Sequence, residues 1–195
     1  MRSRKRDGPS PRRRVRAANR PLTSDTARTV TPPAFAADAR WMAHAIGAAR
    51  EAEAAGEVPV GAIVVSGGVI VASSGNRTRR DRDPTAHAEV VALRAAAAAL
   101  RDPVLSGCEL YVTLEPCAMC AGAIVLARVA RVVFGAWDDK GGMGGSVGDL
   151  LRHPRLNHRP EVTAGVSADE CGALLTRFFA GRRGEEPRDG PLEAL

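Results

Sequence analysis

An α/β domain, with a partly parallel sheet covered by helices on both faces, is the fold class that the sequence predicts. Three patterns predict it. Short β-branched runs recur at 60–65, 69–73, 109–114, 131–136 and 161–166. Segments with helical periodicity separate the later runs, and parallel neighbours require such long crossovers. The first two runs are joined instead by Ser66-Gly67-Gly68, a hairpin signal.

The elements follow in order. Residues 1–37 are rich in Arg, Pro, Ser and Thr and show no apolar periodicity, so they are expected to be a disordered extension. From Asp38 the pattern becomes helical: Trp41, Met42, Ala45, Ile46 and Ala49 form one apolar stripe, with Asp38 placed as N-cap and Gly56 as the stop. After the hairpin a charged loop over 75–86 closes on Asp83-Pro84-Thr85, with Thr85 set to cap a helix from 87 to about 100. Residues 109–114 read as a strand, and Pro116 opens a helix to about 127, since the first helical turn has no N–H to lose. A strand at 131–136, a glycine-rich loop at 138–146, a strand near 161–166 and a helix from 168 to about 180 complete the domain. One domain over 38–183 is therefore expected, with a flexible polar tail at 184–195.

Composition sets limits on function. At 195 residues and 45% hydrophobic content the chain can bury a full core. No apolar run nears the ~18 residues of a membrane span, so no membrane association is expected. The formal charge of +6 suggests a nucleic-acid partner, but its distribution weakens that argument. Residues 1–31 carry ten basic and two acidic side chains, leaving eighteen basic and twenty acidic for the rest. The basicity thus belongs to the tail. Four cysteines do not make a disulfide framework and suit a reducing cytoplasm, where Cys108 and Cys171 read as small buried residues. No apolar segment follows the N-terminus, so a secretory signal is not expected. The loop 138–146 lacks a Gly-Lys-Ser/Thr ending, which argues against a nucleotide cofactor.

The chemistry concentrates in His87-Ala88-Glu89 and Pro116-Cys117-Ala118-Met119-Cys120. One histidine and two cysteines are ligands that zinc prefers, and three protein ligands leave the fourth tetrahedral position open for water. Cys117 and Cys120 are three apart, so a first helical turn places both thiols on one side, where the helix N-terminus favours thiolates. Glu89 lies two residues from His87, about 200° around an ideal helix. The two side chains converge only if the helix start splays them. A Cys-x-x-Cys pair alone also serves structural zinc and redox sites, and a closed structural site would draw a fourth ligand from Cys108, Cys171, His153 or His158. A structural site, however, has no need of Glu89. The combined His-x-Glu and Pro-Cys-x-x-Cys arrangement is an established signature of zinc nucleobase deaminases.

The chain resembles the bacterial tRNA-specific adenosine deaminases of the cytidine deaminase-like superfamily. The resemblance rests on Glu57-Val-Pro-Val-Gly61, Asp83-Pro-Thr-Ala-His-Ala-Glu89, Leu110 through Gly122, Arg131-Val-Val-Phe-Gly-Ala136, His153-Pro154, Asn157-His158-Arg159 and Ala168-Asp-Glu-Cys171. It implies a three-layer α/β/α cytidine deaminase-like fold with a five-stranded mixed sheet, a cytoplasmic homodimer with one zinc per subunit, and a tRNA anticodon loop as partner. The implied reaction is hydrolysis of adenosine to inosine at the wobble position, with an arginine tRNA as substrate. In it His87, Cys117 and Cys120 hold zinc, zinc-bound hydroxide is the nucleophile and Glu89 is the proton shuttle. The resemblance further implies that Asn76 and the Ala88 backbone N–H bind the flipped base, that Val58 and Leu114 wall the pocket, and that Asp138, His153 and Asn157 meet the anticodon loop. Arg77, Lys140, Arg182 and Arg183 stand as phosphate partners. Asp138 reads equally as a loop cap, and Arg182-Arg183 as a solvated helix end. Trp137 departs from the family pattern, where a basic or small polar residue is expected. Its indole either stacks on an unpaired base or packs. The rival functions are deamination of a free base such as guanine or cytosine, and a non-catalytic zinc-stabilised RNA-binding module.

Overall fold

The computed structural model describes residues 32–183. Its elements run α1 (Pro32–Ala54), β1 (Gly61–Ser66), β2 (Val69–Gly75), α2 (Ala88–Leu100), β3 (Cys108–Leu114), α3 (Ala118–Leu126), β4 (Arg131–Ala136), β5 (Glu161–Ala164) and α4 (Ala168–Arg183). The five strands form one sheet in the order β2-β1-β3-β4-β5. β1 pairs antiparallel with both β2 and β3, while β3–β4 and β4–β5 are parallel. Each parallel step carries a crossover between its strands, and the tight Gly67-Gly68 turn closes the hairpin, as the sequence predicts.

Alternation along the strands divides the core in two. Ala62, Val64, Leu110, Val112, Val132 and Phe134 pack with Ala88, Ala92, Leu93, Ala96, Ala121 and Ile124 of α2 and α3. The intervening residues Ile63, Val65, Tyr111 and Val133 face Met42, Ala45, Ile46 and Ala49 of α1 and Cys171 and Leu174 of α4. The result is the expected three-layer α/β/α arrangement with a mixed sheet. Among the described residues no helix is long and apolar enough to cross a membrane.

Two expectations about helix starts are corrected. α1 begins at Pro32, six residues before the boundary expected at 37/38, so Asp38 is not its N-cap. Pro32 and Pro33 sit in the first turn, where proline is tolerated because no hydrogen bond is lost. The rest of the extension (1–31) and the tail (184–195) lie outside the described residues. Asp38, 2% exposed, instead takes a bidentate contact from the Arg131 guanidinium (Nη1 to Oδ1 2.8 Å, Nη2 to Oδ2 2.7 Å). Arg131 also reaches Glu109 and the Thr163 hydroxyl, tying α1 to three strands. Such planar, two-bond pairing is the strong form of ion pair. Thr85 likewise does not cap α2: its N–H and hydroxyl both donate to Asp83 Oδ1 at 2.7 Å, closing a local turn. His87 occupies the N-cap position, without a side-chain capping bond.

Candidate active site

The starts of α2 and α3 meet at one edge of the sheet, beyond the carboxyl ends of the parallel strands β3 and β4, where α/β folds place ligands. His87 and Cys117 are the N-cap residues of the two helices and both have extended backbones (φ −69°, ψ 151° and φ −71°, ψ 176°). The extended conformation resolves the angular question about Glu89. Because His87 precedes the helix, the 200° projection does not apply, and both side chains line the same cavity.

His87 Nδ1 lies 3.7 Å from Cys117 Sγ and 3.6 Å from Cys120 Sγ. A tetrahedral zinc with Zn–N near 2.0 Å and Zn–S near 2.3 Å sets an N···S edge of about 3.5 Å, so the triangle has the size that ion demands. The charge state points the same way. Hydrogen bonds from Cys120 and His87 hold the Cys117 thiol down to about 3. The neighbouring Cys117 sulfur, together with burial, pushes Cys120 far up. Without an ion Cys120 therefore stays a thiol beside the Cys117 thiolate; ionising both sulfurs takes a cation between them, which a divalent ion would supply. Among the described residues only His87, Cys117 and Cys120 form such a cluster. The proposed fourth ligands are elsewhere: Cys108 and Cys171 are in the two cores, His158 donates Nε2–H to the Val129 carbonyl, and His153 is exposed. The site is an open three-ligand site.

The cavity has a volume of about 220 Å³. Val58, Val60 and Leu114 supply apolar walls, and Asn76, Thr78, Glu89, Glu115 and Asp138 supply polar groups. Glu89 is 3% exposed, and burial raises its pKa above the usual carboxylate range. Asn76 Oδ1 accepts the Ala88 N–H at 2.8 Å. The Ala88 N–H is thus bonded within the protein, and Asn76 both holds the start of α2 and lines the cavity.

Val58, Leu114, Asn76 and Asp138 are thus brought together with the metal ligands. Asp138 also accepts the Lys140 N–H on Oδ1 (3.0 Å), so it is a loop cap and a wall at once. His153 and Asn157 are exposed and do not line the cavity. Lys140 is exposed and does not line the cavity either. Arg77 Nε is buried 3.5 Å from the Asp81 carboxylate without hydrogen-bond geometry. Arg182 is tied down rather than free: it donates to the Gly56 carbonyl at 2.9 Å and lies 4.4 Å over the Phe178 ring. Arg183 ends α4, and its side chain lies outside the described set. Trp137 packs at right angles to Phe134 with ring centroids 4.9 Å apart, yet remains 50% exposed.

Four residues at the cavity had no role assigned from sequence. Val60 and Thr78 line it, and Glu57 and Glu115, 1% and 2% exposed, clasp its loops. Glu57 accepts the N–H groups of Arg79 and Arg80 and the Thr78 hydroxyl. The available signal was an acidic residue inside an apolar motif, Glu-Val-Pro-Val and Leu-Glu-Pro-Cys. Thr78 carried none.

Residues 36–136 match the family described as cytidine and deoxycytidylate deaminase zinc-binding region. The chain belongs to this deaminase family. Within it, a tRNA-specific adenosine deaminase of Bacillus subtilis is 49% identical over 142 residues, covering 73% of this chain and 88% of that protein. A solved structure from work on A-to-I editing by tRNA:A34 deaminases at the wobble position of transfer RNA superposes with a TM-score of 0.68 at 45% identity, over 70% of this chain and 99% of that one. A guanine deaminase from Nitrosomonas europaea superposes at 0.65 with 26% identity, over 82% of this chain and 98% of that one.

Proposed function

We propose that the chain hydrolyses adenosine to inosine at the wobble position of a tRNA anticodon, an arginine tRNA being the expected substrate, as a cytoplasmic homodimer with one zinc per subunit. The observation that carries this reading is the buried Glu89 carboxylate in the same small cavity as an open His/Cys/Cys triangle. The tRNA-directed relatives favour RNA over a free base.

His87, Cys117 and Cys120 would hold zinc, which when bound supplies the Lewis acidity that makes water nucleophilic near neutral pH. Glu89 takes one proton from the attacking water and delivers it to the ring nitrogen N1, then takes the second from the new C6 hydroxyl and passes it to the departing amine. A C6–O bond forms, the C6–N bond breaks, and ammonia leaves with no change in oxidation state. This is general acid–base work by one carboxylate. Asn76 donates its amide to a ring nitrogen, while Val58 and Leu114 sandwich the base. Asp138 holds the nucleotide at the cavity mouth, and His153, Asn157, Arg77, Lys140 and Arg183 meet the anticodon loop outside it. Arg182 is better read as structural, given its bond to Gly56.

The test is incubation of the zinc-loaded protein with an anticodon stem-loop carrying wobble adenosine, and separately with free guanine and cytosine. Inosine in the RNA, without ammonia from either base, is expected. Ammonia from a free base alone overturns the reading, and from guanine it favours the activity named for the Nitrosomonas europaea neighbour.

A further inference from the structure

We propose that Glu115 is a positioning residue for substrate: it fixes the loop 138–146, and with it Asp138, against the turn that carries the metal ligand Cys117. The proposal rests on the functional reading above, in which Asp138 touches the nucleotide.

Glu115 ends the stretch from β3 and stands two residues before Cys117, so its backbone belongs to the metal-ligand turn. Its side chain belongs to the opposite loop. Oε1 accepts the N–H groups of Gly144 (2.8 Å) and Ser146 (3.0 Å). Oε2 accepts the Asp138 N–H (3.0 Å) and the Ser146 hydroxyl. Four donors from one loop thus converge on a carboxylate that is 2% exposed. The fit is close enough that a Cβ at Gly142 would collide with the carboxylate. The backbones are joined as well: the Met143 N–H donates to the Pro116 carbonyl at 2.8 Å, and Cys117 bridges to Gly142.

Both oxygens are saturated by donors that cannot all be replaced at once, so Glu115 is not a second proton carrier beside Glu89. Its function is geometric. The loop contains Gly141, Gly142, Gly144 and Gly145 and has no helix or strand of its own to hold its shape. A buried anion that collects its N–H groups gives it one shape, a strong arrangement because charge-assisted bonds are about twice as strong as neutral ones. A glutamine at 115 presents an NH₂ to one pair of donors and cannot reproduce the set.

The experiment compares Glu115→Gln, Asp138→Asn and the double variant, all zinc-loaded, on the wobble-adenosine stem-loop, together with amide hydrogen exchange. Glu115→Gln is expected to speed exchange at Asp138, Gly144 and Ser146 by about tenfold or more, the loss of a charge-assisted bond, while β1 stays protected. KM should rise about tenfold with kcat changed less than about threefold, and zinc content should not change. The double variant should be no weaker than the weaker single one, because the loop has already lost its placement. Unchanged exchange, a fall in kcat with KM constant, or effects that multiply in the double variant would each overturn the proposal. If Glu115→Gln does not fold, Ser146→Ala decides by the same readouts at Asp138 and Gly144, with a smaller KM rise expected and no change overturning it. Hydrogen exchange reads the clasp directly, so a chain that left the stem-loop unmodified would refute the functional reading and not the clasp.

Discussion

At the cavity floor His87, Glu89, Cys117 and Cys120 stand on the first turns of two helices, whereas at its rim Val58, Thr78 and Asp138 hang on loops. The floor is set mainly by the two helix starts, by the packing of α2 and α3 on the sheet, and by backbone-level bonds such as Ala88 to Asn76. The rim needs buried anions. Glu57 gathers the loop at 78–80, and Glu115 gathers the loop at 138–146. The difference separates chemistry from selection: floor variants should change the rate of the chemical step, and rim variants should change how substrate is held.

The largest effect belongs to the metal ligands. Cys117→Ser should reduce bound zinc to trace levels by elemental analysis and abolish inosine formation, with chelator-treated wild type behaving the same and zinc restoring only the latter. Next comes the inner wall. Asn76→Ala should lower kcat/KM on the stem-loop by about a hundredfold, because it removes both a base contact and the partner of the buried Ala88 N–H. Single-turnover kinetics would show whether the loss reaches the chemical step. Asn157→Ala and His153→Ala lie outside the cavity and should raise KM by about tenfold at most while leaving the single-turnover rate at saturation unchanged. A lowered saturating rate in either variant would show that residues outside the cavity act on the chemical step as the floor does.

The smallest effect is a stability one, read by pH. Burial would raise the Glu57 pKa, but the Arg80 and Arg79 N–H groups and the Thr78 hydroxyl outweigh it and hold the group below the ordinary 4.5. A carboxylate lowered in the folded state stabilises fully above its ordinary value and loses that contribution as pH falls through the folded one. Glu57→Gln should therefore be less stable than wild type at neutral pH, and urea unfolding should show the gap narrowing below about pH 4.5.

The same division governs what could be read from the sequence. The floor was legible because its ligands are near neighbours in sequence within two short motifs, and short spacings on helix starts translate directly into geometry. The hairpin and the parallel order were legible for a similar reason, through Ser66-Gly67-Gly68 and the alternation of strand and helix. The rim depended on long-range contacts. Thr85 is taken by Asp83 two residues away, a local turn that competes with the helix cap for its hydroxyl. By contrast, nothing local shows that the Asp38 carboxylate belongs to Arg131 and not to a helix start. Nor does local sequence reveal that Asn76 takes the Ala88 N–H. Polar side chains with several possible partners are decided by tertiary packing, and the two buried glutamates were visible only as acids in apolar motifs.

Proton movement by Glu89 at an open zinc site is tested by Glu89→Ala. Metal content and single-turnover inosine formation on the wobble-adenosine stem-loop should be measured on the same preparation. Zinc should stay at one per subunit, as in wild type, with the rate lowered by about a thousandfold or more. Retained zinc with a rate within about tenfold of wild type would contradict that role of Glu89.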